Sequence, residues 1–318
     1  MNCPALVLTA GLGTRLQPLS DVRAKPALPV AGQPLISRIL GWLHRAGVRS
    51  VVLNLHHRPE TITRLVGDGS RLGLSVRYSW EPEILGSAGG PARAIPLLES
   101  DRFLIINGDT LTNVDLPAMI HQHIDTNALV TMAVVDADPR YNAVIADNAG
   151  IVQAFGTRGT PGTLGTLGTP GTFVRSRSHF IGVQVVNTSA FAGVNPNARS
   201  ETVHGIYPAM IAGRTGSIRI FQTRERFFDI GSPRDYLETA VHFAASEGRP
   251  LDRGLDTHVD ASAQLTDTIL WDRVTVGAGA ELNRCVVADD VTIPPGGRFA
   301  DCSIVMRGRE MIVRQFAP

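Results

Sequence analysis

At 318 residues, with 43% hydrophobic and 19% charged side chains, the chain has room for one large domain plus a small one and for a well-buried core. A formal charge of +1 leaves no electrostatic footprint for a polyanion, so nucleic acid is excluded as the expected partner. No apolar run reaches membrane-spanning length, and the N-terminal residues lack the basic flank and cleavage site of a signal peptide, so no membrane association and a cytoplasmic location are expected.

In chain order, the first half alternates apolar runs with helix-like segments. Ala5 to Leu8 reads as a short buried strand leading into Gly11-Leu12-Gly13. Pro34 to Ala46 has helical periodicity and stops at Gly47, Val48 to Leu55 is the next strand, and Pro59 to Val66 the next helix. Leu74 to Ser79 reads as a strand, Ala88 to Glu99 as a helix, and Arg102 to Ile106 as a strand running into Asn107-Gly108-Asp109. Such alternation predicts an α/β fold, a Rossmann-like, mostly parallel mixed sheet with helices on both faces. Ligands of such sheets bind beyond the carboxyl ends of the strands, which is where Gly11 and Asp109 fall.

Residues 156–172 form a low-complexity run of Gly-Thr-x triplets, read as a mobile loop inside the domain. Val183 to Val186 and Ser217 to Thr223 read as strands. Ser232-Pro233-Arg234-Asp235 supplies an N-cap, a first-turn proline and a first-turn carboxylate, so a helix is expected from there to Ser246, ending at Gly248. Asp229 then sits in the turn before that helix.

From Val259 the pattern becomes short apolar steps separated by Gly, Asp and Thr. Segments beginning at Leu265, Leu282 and Phe299 recur with a spacing of 17, and Val259 is matched in the same way by Val276. A fixed repeat of this kind predicts a β-solenoid over 251–318 behind a main domain over 1–250. The cysteines Cys3, Cys285 and Cys302 are too few and scattered for a disulfide framework or a zinc site, and Cys285 and Cys302 are expected to stack in the solenoid core. With two to three coils the solenoid should pack on the main domain or on another subunit, as an oligomer contact or an allosteric platform, and a homo-oligomer is expected.

Among the 30 cationic side chains Lys25 is the sole lysine, close behind the glycine loop. Its isolation points to a site that needs a compact ammonium rather than a planar guanidinium. The loop itself is neither a Walker loop, since no Gly-Lys-Ser/Thr follows, nor the dinucleotide fingerprint, since Leu16 takes the third glycine position. A bare Gly-x-Gly is compatible with an ordinary tight turn, and either aspartate taken alone could be a turn residue.

The run Gly11-Leu-Gly-Thr-Arg-Leu-Gln-Pro-Leu, followed by Ala24-Lys25-Pro26-Ala-Leu-Pro-Val, closely resembles the signature of sugar-1-phosphate nucleotidyltransferases. Leu85-Gly86-Ser87-Ala88-Gly89, Asn107-Gly108-Asp109 and Phe228-Asp229-Ile230-Gly231-Ser232-Pro233 match further segments of that family in order, so the resemblance spans nearly all of residues 3–250. It implies a glycosyltransferase-A-like domain followed by a short left-handed β-helix of hexapeptide steps. It implies an enzyme that joins an NTP to a sugar-1-phosphate and releases pyrophosphate with Mg2+ as cofactor. Ala10, Gly11, Gly13, Thr14, Arg15, Gly86 and Ser87 would bind the nucleotide, Arg15 and Lys25 would act on the phosphates, and Asp109 and Asp229 would hold the metal. Lys25, Asn187 and Glu201 are the nearest matches to positions contacting the sugar phosphate. The stretch Glu-Pro-Glu-Ile-Leu-Gly-Ser-Ala-Gly looks most like the mannose-1-phosphate guanylyltransferase branch, which favours GTP and leaves UTP and ATP open.

This sequence departs from the family where a Phe-x-Glu-Lys-Pro stretch is usual. Phe155-Gly156-Thr157-Arg158 stands there instead, with Arg158, Arg175 or Arg177 as replacement cations and no evident carboxylate. That departure keeps open a catalytically inactive, nucleotide-sugar-binding regulatory subunit, and a glycosyltransferase shares the sheet and the metal-binding aspartate. Asp136-Ala-Asp138 resembles a glycosyltransferase metal motif but reads as a loop. His56-His57 reads as structural or solvated. Glu81 and Glu83 are either solvated or in touch with the substrates.

Overall fold

The structure is a computed structural model that describes residues 3–157 and 174–317, the side chains of 174–176 apart. Residues 158–172 of the Gly-Thr run, Arg158 among them, therefore lie outside the described residues, as does the side chain of Arg175. The chain divides into two compact units, and neither is continuous in sequence. One comprises Met1–Ala10, Leu40–His56 and Gly67–Phe227; the other comprises Gly11–Ile39, His57–Val66 and Phe228–Pro318.

The first unit is built on a nine-stranded sheet. Its strands are β1 (Ala5–Leu8), β2 (Ser50–Leu55), β3 (Ser75–Trp80), β4 (Arg102–Asn107), β5 (Val130–Asp136), β6 (Ala143–Asp147), β7 (Val152–Gly156), β8 (Val174–Asn187) and β9 (Ile218–Gln222). The spatial order is β7-β6-β8-β4-β1-β2-β3, with β5 paired to β8 and β9 to β5. β1 pairs in parallel with both β2 and β4, and β2 with β3. β8 runs antiparallel to β4, β5 and β6, so the sheet is mixed.

Alternation along the strands sends side chains to two faces. Leu6, Val52, Phe103, Ile105, Val130, Met132, Val134 and Val186 form one face and share a core with α3 (Gly86–Leu98) and the short α5 (Tyr207–Gly213). Thr131 points the other way, and there it meets His123 of α4 (Leu116–Asp125), so that helix covers the opposite face. Helices on both faces are thus accounted for. The sequence reading passes over α4, α5 and the strands β5 to β7, although α4 starts at a local signal, the Asp115 cap that accepts from the Ala118 N–H with a proline in the first turn.

In the second unit α1 (Leu35–Arg45, which continues into the first unit), α2 (Pro59–Val66) and α6 (Pro233–Glu247) accompany the C-terminal coils. Ser232 caps α6 by accepting from the Asp235 N–H, and Gly248 ends it in a left-handed conformation, φ 62°. The coils stack in parallel, in a register of 17: Gln264 pairs with Glu281 and Glu281 with Arg298, Leu265 with Leu282 and Leu282 with Phe299. Leu270, Val276, Leu282, Val287, Ile293 and Ile304 fill the interior. Cys285 and Cys302 stack there with their sulfurs 3.7 Å apart, both free thiols. Two corners carry left-handed backbones at Asp256, Arg273 and Asp290 and at Asp267, Arg284 and Asp301. Their side chains alternate in charge along each stack, with Arg273 bonded to Asp290 at 2.6 Å and Arg284 to Asp301 at 2.9 Å. A closing strand, Glu310–Gln315, folds back antiparallel on Arg298–Arg307, where the repeat gives no warning of it.

Candidate active site

In the first unit, the carboxyl ends of β1, β2 and β3 are tied by a buried polar chain. The Thr9 N–H donates to Asn54 Oδ1 at 2.7 Å, and Asn54 Nδ2 donates to Glu81 Oε1 at 2.7 Å. Glu81 Oε2 accepts from the Leu85 N–H at 2.9 Å, one residue before α3. Glu81 is completely buried, so of its two sequence readings neither a solvated loop nor open substrate contact describes it; it holds the entry to α3 in place. Thr9 and Asn54 escaped the sequence reading, because nothing local distinguishes a strand-end threonine or asparagine that will be buried.

Gly86 and Ser87 open α3 against Glu201. The Glu201 carboxylate accepts from the Ser87 N–H at 3.1 Å and from Ser87 Oγ at 2.7 Å, and a Cβ on Gly86 would come within 2.7 Å of Glu201 Oε1. Burial raises the carboxyl pKa of Glu201, but the hydrogen bonds from Ser87 and the nearby Arg199 outweigh it, and the net shift is downward. The structure therefore brings three sequence-predicted residues, Gly86, Ser87 and Glu201, into one cluster.

β4 ends in Asn107-Gly108-Asp109. The Gly108 N–H donates to the Leu8 carbonyl at 3.0 Å, and a Cβ there would meet the same oxygen at 2.5 Å, so only glycine lets β4 leave the sheet so close to β1. This turn presents Asp109, half-buried, just past the strand end. Ala10, buried, follows the end of the neighbouring β1.

Asn187 lies elsewhere. Because β8 runs antiparallel, its last residue Asn187 pairs with Arg102 at the amino end of β4, the opposite end of the sheet from Asp109. Its amide oxygen accepts from Arg102 Nε at 3.3 Å and pairs with His123 Nε2 at 3.1 Å, and its nitrogen donates to the Ala128 carbonyl at 3.0 Å. Asn187 is thus a packing residue beneath α4 and is not gathered with the other predicted site residues. Asp136 and Asp138 are committed to Gln222 and Arg140, the latter contact at 2.6 Å, and that hydrogen bonding holds the Asp138 carboxyl at about 2. His56 Nδ1 meets the Glu81 carbonyl at 2.9 Å, in keeping with a structural role.

In the second unit, Gly11, Leu12, Thr14 and Arg15 are exposed. A Cβ on Gly11 would meet nothing within 4 Å, so no protein neighbour demands a glycine there. Gly13 is left-handed, φ 63°, and its position for a Cβ lies 3.1 Å from Ser20 Cβ and 3.7 Å from Lys25 Cβ, which sets the loop directly beside the lysine. Lys25 is 9% exposed and opens a short turn over Lys25–Ala27. Arg15 reaches back to the turn after Asp229: its Nη1 is 3.0 Å from where a Gly231 Cβ would stand. One compact unit therefore gathers the glycine loop, Arg15, Lys25 and the Asp229–Ser232 turn. His57 Nε2 meets the Ser20 carbonyl at 2.8 Å, fastening the same loop to the start of α2. Lys25, Asp109 and Asp229 each interact with other groups of the chain. Among the described residues, no three His, Cys, Asp or Glu side chains gather in a way that could hold a metal ion, and no helix is long and apolar enough to cross a membrane.

Residues 4–246 match the family model described as nucleotidyl transferase. The chain belongs to that family. Residues 254–299 match a second model, a GlmU-like C-terminal hexapeptide region, which agrees with the left-handed β-helix expected from the repeat. Among relatives of this nucleotidyl transferase, the mannose-1-phosphate guanylyltransferase of Mycobacterium tuberculosis is 29% identical over 94% of this chain and 82% of its own length. The N-acetylmuramate alpha-1-phosphate uridylyltransferase of Neisseria meningitidis is 45% identical over 36% of this chain and 50% of its own length. In fold, the transferase is similar to HddC from Yersinia pseudotuberculosis, in a crystal structure complexed with GMP-PN. That match has a TM-score of 0.62 and 24% identity, over 76% of this chain and 99% of the other.

Proposed function

We propose that this chain is a Mg2+-dependent sugar-1-phosphate nucleotidyltransferase that uses GTP. The observation that carries the reading is the exposed glycine loop with open space over Gly11 and the sole lysine beside Gly13. A loop of that kind offers backbone N–H groups to phosphate oxygens without side chains in the way. In this reading Ala10, Gly11, Gly13 and Thr14 cradle the triphosphate and Arg15 neutralises it. Lys25 stands at the α-phosphate, where a compact ammonium can serve both reactants. Gly86 and Ser87 shape the base pocket. Glu201 is kept as a sugar-side candidate, while the position of Asn187 removes it.

The donor set suits the cofactor. Asp109 and Asp229 are hard oxygen donors, and Mg2+ characteristically takes one or two carboxylates from the protein and the rest of its ligands from substrate phosphates and water. When bound, the ion would offset the charge that builds on the phosphate oxygens during transfer. A sugar phosphate is already ionised near neutral pH, so the chain needs no general base. An oxygen of the sugar phosphate attacks the α-phosphorus while the bond from that phosphorus to the bridging oxygen breaks, and pyrophosphate leaves with the electron pair. Arg15 and Lys25 hold the two anions in line and stabilise the charge in transit.

GTP is favoured because relatives aligned along most of the chain are guanylyltransferases. Uridylyl transfer is the second reading, supported by the higher identity to the Neisseria enzyme over 115 residues. The reading carries with it a catalytic domain over 1–250, a β-helix over 251–318, a cytoplasmic location and homo-oligomers, the last checked by light scattering on the intact chain. Pyrophosphate release with Mg2+, across the common NTPs and a panel of sugar-1-phosphates, tests the activity. A signal with GTP is expected; a signal with UTP alone moves the assignment to the second reading. A blank grid with tight nucleotide-sugar binding by calorimetry would instead make the chain a regulatory subunit.

A further inference from the structure

The loop that bears Gly13 and Lys25 belongs to the same compact unit as the coils, and one side chain of that segment is bonded directly to two successive coils. Arg23, two residues before Lys25, lays its guanidinium over the Trp271 ring at 5.0 Å. Its Nε donates to Asp289 Oδ2 at 2.9 Å, and Nη2 donates to Asp272 Oδ2 at 2.6 Å and to Asp289 Oδ1 at 2.5 Å. Asp272 and Asp289 are successive steps of the 17-residue stack, and the Asp272 N–H donates to Asp289 Oδ1 at 3.0 Å. The side chains are largely removed from solvent, at 18% exposure for Arg23, 26% for Asp272 and 13% for Asp289.

This is not a surface ion pair of negligible weight. It is a planar cation shared by two carboxylates and an aromatic face, which is the arrangement in which a guanidinium outperforms an ammonium. Burial alone would lower the Arg23 pKa, but the hydrogen bonds and charges of Asp289 and Asp272 more than reverse that. The aromatic beneath is itself fixed. Trp271 is fully buried and donates through Nε1 to the Tyr236 hydroxyl at 3.2 Å, and that hydroxyl donates to the Pro29 carbonyl at 2.6 Å. The coils thus grip the segment ahead of Lys25 at Arg23 and, through α6, the segment behind it at Pro29. Lys25 lies between the two grips, and a Cβ on Gly13 would stand 3.7 Å from its own Cβ.

We propose that Arg23 is a positioning residue for the transfer reaction, through which Asp272 and Asp289 of the coils hold Lys25 and the glycine loop in working geometry. This rests on the function proposed above, and it gives the coils a part in catalysis that does not depend on subunit contacts. Two readouts on the full-length chain test it, one independent of activity. Hydrogen exchange of the backbone over residues 19–31 is compared in wild type, Arg23→Met and Asp289→Asn, with Arg273→Met as a control that loosens an outer corner of the same coils. Faster exchange is expected in the first two variants and unchanged exchange in the control. Steady-state kinetics, at a temperature where all variants are folded, should show kcat/KM lower by about tenfold to a hundredfold in Arg23→Met, as expected for a small misplacement of phosphate-handling groups. Arg23→Lys should restore part of that loss, and Arg273→Met should keep wild-type kinetics. Variants that melt earlier yet keep wild-type exchange over 19–31 and wild-type kcat and KM would overturn the proposal, leaving Arg23 a structural residue only. If wild type itself releases no pyrophosphate, the function reading fails, and the exchange comparison alone decides whether the coils order the loop.

Discussion

The nine-stranded sheet and the 17-residue coils bury apolar side chains by different rules. In the sheet, neighbours come from far apart in sequence: β1 meets β4 with Leu6 against Ile105, and β8 reaches back to β4 with Val183 against Ile106. In the stacked coils each parallel strand partner is one repeat away, Leu265 on Leu282 on Phe299. The sheet places single, non-repeated residues at unique points, which is what a reaction site requires. The coils repeat one environment, which makes them a brace more readily than a site. Where the two schemes differ most, mutations should separate activity from stability.

The largest effect is expected at Asp109, a residue held at a unique point by the sheet. Asp109→Asn should reduce pyrophosphate release on the order of 10³-fold while the melting temperature barely moves, because the carboxylate sits past the strand end rather than in the core. Lys25→Arg should also cost activity, since a forked guanidinium is larger and differently hydrated than the ammonium beside Gly13. Full activity in Asp109→Asn would refute the assignment of the site to this end of the sheet.

Next in size are two stability changes that contrast the regions. Gly108→Ala drives a methyl group to 2.5 Å from the Leu8 carbonyl, and the backbone of two central strands must shift to admit it. Leu282→Ala opens a cavity in the middle coil, at a cost of about 2–5 kcal/mol. Denaturant melts followed by hydrogen exchange should show the first change loosening the sheet throughout. The second should loosen mainly the coils, as nearest-neighbour stacking predicts. Uniform loosening in both would mean that the coils have no separate cooperativity.

The same contrast explains what could be read from the sequence. The helix at Pro59–Val66, the Ser232 cap, the stop at Gly248 and the coil register are local or repeating signals, and each is where the residues say it should be. Strand direction is not local. A match to a family position does not give the direction of the strand that carries it: β8 enters reversed, and Asn187 therefore lands against Arg102 and His123. The burial of Glu81 is invisible for a similar reason, since its partner Asn54 is brought to it by the pairing of β2 with β3. The glycine loop, Lys25, Asp109 and Asp229 could be named from a family signature, but that Arg23 hangs from Asp272 and Asp289 could not, because only folding brings residues so remote together.

A smaller effect should appear with pH. His123 is buried between Thr131 and Asn187; burial lowers its pKa from the ordinary 6.5, the charge of Arg102 adds to this, and the Asn187 hydrogen bond opposes it. Below pH 6.5 the unfolded chain takes up a proton that the folded chain resists, so stability falls with pH until the folded-state value is passed. The slope from this one group cannot exceed about 1.4 kcal/mol per pH unit. Urea melts at pH 7.5, 6.5 and 5.5 should show His123→Gln losing less stability on acidification than wild type; equal losses would place the pH sensitivity elsewhere.

The smallest effect concerns what sets the coil register. Arg284 pairs with Asp301 at 2.9 Å and with Glu238 at 3.5 Å, but all three side chains are at least 35% exposed. Such pairs contribute under about 1 kcal/mol, so Arg284→Ala should cost no more than that. The backbone at Arg284 is left-handed, φ 53°, a conformation that costs an L-residue about 1–2 kcal/mol and glycine little. Arg284→Gly loses the same ion pairs but relieves that strain, and should therefore be about as stable as wild type and more stable than Arg284→Ala. If both variants instead fall by more than about 2 kcal/mol, the alternating charges at the corners, and not the apolar stack of Leu265, Leu282 and Phe299, hold the coils in step.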